Sequence, residues 1–66
     1  MSIGQFFVEE GLLLQQRGKF ILQQDGGGFW ILEVDREAEE FLGCRVRAEG
    51  IRSGFNSLAV SRIVRC

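Results

Sequence analysis

Residues 19–33 carry the sequence KFILQQDGGGFWILE, in which two short apolar runs flank Asp25 and three glycines. Aromatic and β-branched residues favour strands, and an Asp-Gly pair between two such runs favours a tight β-hairpin turn. We therefore predict a hairpin with a three-residue loop, residues 25–27. This loop sets the register, which places large apolar side chains on one face of the hairpin. The predicted pairs are Leu22 with Trp30, Phe20 with Leu32, Ile21 with Ile31, and Lys19 with Glu33.

Glycines divide the rest of the chain into segments of strand length. In the first segment Gly11 is expected to mark a bend or bulge, which the first strand of a barrel needs in order to serve two sheets. We expect residues 1–5 to be a flexible N-terminus and residues 6–66 to form a single domain. The predicted strands cover residues 6–16, 19–24, 29–32, 44–51 and 57–64.

One helical segment separates the third and fourth strands. Asp35 can cap the free amide groups at its start, and Gly43 supplies the left-handed residue that ends it. Ala38, Phe41 and Leu42 recur at helical spacing, so one face of the segment is apolar. We predict an α-helix that begins at Asp35, ends at Leu42 and packs on the sheet.

The order of elements is three strands, a helix and two strands. This order is typical of the OB-fold, a five-stranded Greek-key barrel, here with its helix between the third and fourth strands. An SH3-like barrel is the main alternative, and a complete helix before the fourth strand counts against it. We therefore predict a mostly β protein with an OB-like barrel and with Trp30 sealed in its core.

The composition excludes several kinds of chemistry. The chain has 66 residues, enough for one small domain, and it has no histidine, the commonest general base and a frequent metal ligand. We expect no enzymatic activity, no metal and no cofactor. Cys44 and Cys66 are too few for a disulfide framework, so we expect reduced thiols and a cytoplasmic location. No export signal or long apolar run is recognised, and we expect no membrane association.

Charge is divided unevenly along the chain. Residues 1–43 contain eight acidic and three basic side chains, and residues 44–66 contain one acidic and five basic ones. Arginine suits phosphate, and an aromatic side chain can stack on a base, which favours single-stranded nucleic acid as an alternative ligand. The net charge of −1 disfavours it, and the arginines could instead pair with Glu33, Glu49 or a neighbouring subunit. The residues predicted for this alternative are Arg45, Arg47, Arg52 and Phe55.

The predicted hairpin leaves Ile21, Phe29 and Ile31 on its outer face. A contiguous apolar patch on a small protein usually marks an interaction surface, and a second copy would also enlarge a small core. The leading functional prediction is therefore a non-catalytic interaction module for protein or self association, with a dimer as the simplest assembly. The alternative is that Phe6 and Phe7 fold back over this patch and keep the chain monomeric.

Four runs of sequence also resemble a known family. They are EGLLL at residues 10–14, DGGGFW at 25–30, FLGCRV at 41–46 and GIRSGFN at 50–56. Together they resemble a bacterial domain-of-unknown-function family, number 5818. The resemblance implies a free-standing small barrel, and it carries no catalytic or binding residues to this chain.

Overall fold

Five β-strands and one short helix account for most of residues 4–66, the residues that the computed structural model describes. The elements are β1 (Phe6–Gln16), β2 (Lys19–Gln23), β3 (Phe29–Glu33), a 3₁₀-helix (Arg36–Phe41), β4 (Arg45–Arg52) and β5 (Ser57–Arg65). These bounds confirm each predicted strand to within one residue at either end.

The five strands form a single sheet that closes into a ring in the order β1-β2-β3-β5-β4. Neighbouring strands are antiparallel except for β3 and β5, which run parallel. β1 pairs with β4 through residues 6–12 and with β2 through residues 12–16. A Cβ atom on Gly11 would lie only 2.2 Å from the carbonyl oxygen of Gln23. The first strand therefore changes partner near this glycine, but the β1–β4 register runs through Gly11 without a bulge, and the strands belong to one sheet rather than two.

β2 and β3 pair in the predicted register. The Gln24 N–H donates to the Gly28 carbonyl oxygen at 3.2 Å, which closes the predicted three-residue loop. The ladder ends before Lys19 and Glu33, so the fourth predicted pair is not part of it. The confirmed pairs are Phe20 with Leu32, Ile21 with Ile31, and Leu22 with Trp30.

The core lies inside the ring and is apolar. Within residues 4–66 no polar or charged side chain is buried. The buried side chains are Leu13, Phe20, Leu22, Leu32, Ala38, Val46, Ala48 and Leu58.

Trp30 lies at one mouth of the ring and is half-buried. Its ring packs against Phe7, with 5.3 Å between the centroids and 52° between the planes. Both residues lie near the starts of β1 and β3, which run in the same direction, so they meet at the same mouth. The prediction that the indole is sealed in the core is wrong, because the fully buried Leu13, Leu22 and Leu58 already occupy the centre.

The segment between β3 and β4 is a 3₁₀-helix, not the predicted α-helix. The Ala38 N–H donates to the Asp35 carbonyl oxygen at 3.1 Å, as the tighter helix requires. Three residues per turn place Ala38 and Phe41 on the same side, so this short segment can turn both toward the core. Asp35 makes no side-chain capping bond, so its predicted capping role is wrong. Gly43 does adopt the predicted left-handed conformation, with φ +81°.

Candidate functional site

The predicted interaction patch lies on the outer face of β2 and β3. Ile21 lies opposite Ile31 in one ladder and opposite Leu14 of β1 in the other. An apolar row therefore crosses three neighbouring strands. Phe29 lies beside this row with 49% of its surface exposed, whereas Ile21 and Ile31 are half-buried. The structure thus brings the three predicted residues together and adds Leu14.

A shallow groove of about 440 Å³ lies on this face, and we call it the β2–β3 groove. No charged side chain belongs to its lining, and its two glutamines offer both hydrogen-bond donors and acceptors. A neutral, apolar chain segment could therefore lie in it and still bond its peptide groups. The lining residues are Leu14, Gln16, Ile21, Gln23, Gly28 and Phe29.

Phe6 and Phe7 do not cover the patch. Phe7 packs on Trp30 at the mouth of the ring. Phe6 lies opposite Ile51 of β4 and is 53% exposed. The alternative in which both residues fold over the hairpin is wrong, because the start of β1 pairs with β4, away from the outer face of β2 and β3.

Arg45 is bound by an acidic residue of the hairpin loop. Its Nη1 donates to Asp25 Oδ1 at 2.9 Å, and its Nη2 bonds the other carboxylate oxygen. The hydrogen bond from Arg45, followed by the attraction of its charge, lowers the pKa of Asp25. The same contacts raise the pKa of Arg45. Its charge is therefore balanced within the chain.

Arg47 is paired as well. Its Nε donates to Glu10 Oε2 at 3.2 Å across the β1–β4 ladder. The alternative that arginines pair with acidic residues therefore holds for Arg45 and Arg47, although the partners are Asp25 and Glu10 rather than Glu33 and Glu49. Charge counting along the sequence missed these partners because they lie 20 and 37 residues away.

Arg52 organises the loop between β4 and β5. Its Nε donates to the Gly54 carbonyl oxygen at 2.9 Å, and its Nη2 donates to that of Phe55. A further bond joins Ser53 Oγ, the donor, to Glu33 Oε2 at 2.9 Å. The loop is thus tied to its own strand and to β3, while the Phe55 side chain is 88% exposed.

The four residues predicted for nucleic acid do not form one cluster. Arg45 and Arg52 stand at opposite ends of β4, which separates them by about 23 Å at the rise of an extended strand. Phe55 is near Arg52 only. The structure therefore divides the predicted surface into two parts. Arg45 and Arg47 are paired with acidic residues near the start of β4, whereas Arg52 and the exposed Phe55 lie at its other end and in the loop that follows.

A second apolar surface lies on the outer face of β1 and β4, and sequence reasoning missed it. Phe6 lies opposite Ile51, and Val8 follows two residues along on the same face. We call these three residues the β1–β4 face. The sequence does indicate the β1 part of this face, because the run Phe6, Phe7 and Val8 puts apolar side chains on both sides of a strand. The other half depends on closure of the ring, which local patterns do not reveal.

Other kinds of site are not found in the described part of the chain. Within residues 4–66 no group of three cysteine, aspartate or glutamate side chains is arranged to hold a metal ion. No helix among these residues is both long enough and apolar enough to cross a membrane.

Comparison with known proteins identifies the family of the chain. No curated protein and no solved structure matches the chain. A family model matches residues 10–66, which include all of β2 to β5 and most of β1. Because this match spans most of the sequence, the chain belongs to the family described as "Protein of unknown function (DUF5818)".

Proposed function

We propose that this protein is a small OB-like binding module without catalytic activity, and that it holds an apolar segment of a partner protein in the β2–β3 groove. The OB-like assignment is supported by the ring order, the parallel pair of β3 and β5, and the helical segment between the third and fourth strands. In OB-folds, oligonucleotides and oligosaccharides bind on the face of the second and third strands, so this face is a recognised place for a ligand in that architecture.

The observation that carries the proposal is the uncharged row of Leu14, Ile21 and Ile31 beside the half-exposed Phe29. Apolar side chains that remain at the surface of a small protein favour association, because burial removes them from water. β2 is paired with β1 on one side and with β3 on the other, so a partner in the groove cannot add a strand to it. Side-chain contacts and the two glutamines must therefore recognise it.

The test is photo-crosslinking in cells, with a photoreactive phenylalanine analogue in place of Phe29. The same analogue at Phe55, which is exposed on the loop between β4 and β5, is the positional control. We expect a protein that crosslinks from position 29 and not from position 55. The captured species identifies the source of the segment, either another protein or a second copy.

The captured protein is then purified, and its affinity for the wild-type chain is compared with its affinity for the Phe29→Ser variant. We expect this change to weaken binding by about tenfold or more, since it removes a large apolar contact. Phe55→Ser is the matched control, because it makes the same change on a more exposed phenylalanine. Equal binding by the wild-type chain and Phe29→Ser would contradict the proposal.

Phe55 favours a second candidate function, the binding of single-stranded nucleic acid. Its exposed ring stands on a loop that Arg52 holds through two carbonyl groups, which is the arrangement of a stacking platform. Asp25 and Glu10 balance Arg45 and Arg47, so few phosphate contacts are expected and the affinity should depend only weakly on salt.

Titration of a short single-stranded oligonucleotide at low salt tests this second function. Phe55→Ala should weaken binding, whereas Phe55→Trp should preserve it because stacking needs only an aromatic face. Phe29→Ala is the control on the other surface. If the wild-type chain does not bind the oligonucleotide at low ionic strength, the nucleic-acid function is ruled out.

A further inference from the structure

We propose that the β1–β4 face pairs with the same face of a second copy, forming a two-fold symmetric dimer. This surface is separate from the β2–β3 groove, and the inference does not depend on the function proposed for that groove.

The three residues of the β1–β4 face are unusually exposed for their type. Phe6, Val8 and Ile51 expose 53%, 51% and 41% of their surfaces. Phe6 and Ile51 are directly opposite in the ladder, so their side chains meet on one face of the sheet. The result is a continuous apolar area that the described chain leaves in water.

The charged residues beside this area point to a second copy as the partner. One row across the outer face reads Val8, Glu49 and Arg62, since Val8 lies opposite Glu49 and Glu49 opposite Arg62. Each charge in this row lies beside one of opposite sign.

The next row also contains side chains of both charges. It reads Glu10, Arg47 and Val64, and Glu10 and Arg47 are in contact. A surface that carries both positive and negative charges can pair with the same surface of a second copy related by a two-fold axis. A nucleic acid would instead require a surface of one sign.

The geometry of the ring sets the size of such an interface. Because Phe6, Val8 and Ile51 lie on the outer face of the paired β1 and β4, two copies that bury these side chains meet face to face. A standard interface removes about 800 Å² from each partner. That is a large share of a molecule with 4377 Å² of accessible surface. We therefore expect contact over the outer faces of β1, β4 and β5 together, and a dimer that dissociates on dilution.

Sedimentation velocity over a concentration series tests the dimer with the full chain. The variant Val8→Thr/Ile51→Thr keeps β-branched side chains, which suit strands, but replaces apolar groups with hydroxyls. We expect its dimer dissociation constant to rise by about tenfold or more relative to wild type. The control Ile21→Thr/Ile31→Thr also replaces two apolar side chains with threonine, in the β2–β3 patch, and should leave the constant unchanged because the proposed dimer does not use that patch.

Amide NMR signals of the unmodified protein give a second measurement that does not depend on how a variant folds. The signals of Phe6, Val8 and Ile51 should shift on dilution, while that of Phe29 should not. A wild-type chain that is monomeric at every concentration would overturn the inference. So would a dimer that only the control pair disrupts, because that dimer would use the other face.

Discussion

Arg45, the first residue of β4, binds Asp25 of the hairpin loop through both terminal nitrogens of its guanidinium group. Apart from Gln24, the rest of the loop between β2 and β3 is three glycines, two of which have positive φ angles, and glycine restrains a loop little. The paired arginine therefore limits the motion of the loop. This matters for binding because Gly28, at the end of this loop, also lines the β2–β3 groove.

The Arg45–Asp25 pair should make stability depend on acidic pH. The pKa of Asp25 is lowered in the folded chain, so its contribution is present above the ordinary carboxyl value of about 3.9 and is lost as pH falls through the folded value. Asp25→Asn should therefore lower the thermal unfolding midpoint at pH 7, and by an amount that shrinks as the pH falls below the ordinary carboxyl value. Circular dichroism melts compare it with Glu37→Gln, an exposed carboxylate of the 3₁₀-helix. If Asp25→Asn lowered the unfolding midpoint by the same amount at neutral and at acidic pH, the result would contradict a stabilising role for the Arg45–Asp25 pair.

Gly11→Ala should strongly destabilise the ring. The added Cβ atom would lie 2.2 Å from the backbone oxygen of Gln23, so β1 and β2 would have to move apart. We expect a loss of about 3 kcal/mol in the free energy of unfolding, measured with urea. Gly26→Ala is the matched control, since its new Cβ meets nothing within 4 Å, and its effect should stay within about 0.5 kcal/mol. Similar losses for both variants would rule out the close approach at Gly11.

Phe7 and Phe6 should differ sharply although they are neighbours. Phe7→Ala removes the ring that packs on Trp30 and should cost about 2 kcal/mol, whereas Phe6→Ala, from an exposed position, should cost about 0.5 kcal/mol or less. Phe7→Ala should also make Trp30, the only tryptophan, more accessible to acrylamide quenching. Measurements at low protein concentration avoid a contribution from self association. A larger loss of stability for Phe6→Ala than for Phe7→Ala would contradict the observed orientation of β1, in which Phe7 packs on Trp30 and Phe6 is exposed.

Arg52→Ala should loosen the loop that carries Phe55. The guanidinium group donates to two loop carbonyls, and bonds from a charged donor are stronger than neutral ones. We expect the Ser53 amide, which donates to the Ser57 carbonyl oxygen at 3.0 Å, to exchange its hydrogen about tenfold faster. Arg62→Ala on β5 is the control. An unchanged rate at Ser53 would show that the loop is held by its other bonds.

The hairpin and the strand bounds could be predicted because they depend on neighbours in the sequence. A three-residue loop and alternating apolar residues fix the pairing of Leu22 with Trp30 without reference to the rest of the chain. Exposure was less predictable. Ile21 and Ile31 lie on the outer face, as expected. They are nevertheless half-buried, because Ile21 lies between Leu14 and Ile31 in the sheet.

The features that sequence reasoning missed depend on closure of the ring. Pairing of β1 with β4 puts Glu10 beside Arg47 and Phe6 beside Ile51, and no local pattern indicates either contact. The helix type was missed for a different reason. The spacing of Ala38 and Phe41 suits both helical forms, and only the connection from β3 to β4 selects the tighter one.

The divided pairing of β1 also determines when each of its halves can fold. Residues 12–16 can join β2 as soon as the first hairpin has been synthesised, but residues 6–12 must wait for β4. Until then a nascent chain presents Phe6 and Val8 on an unpaired strand, the kind of segment that favours aggregation. Pulse-labelled hydrogen exchange during refolding should therefore find the amides of residues 6–12 protected later than those of residues 13–16.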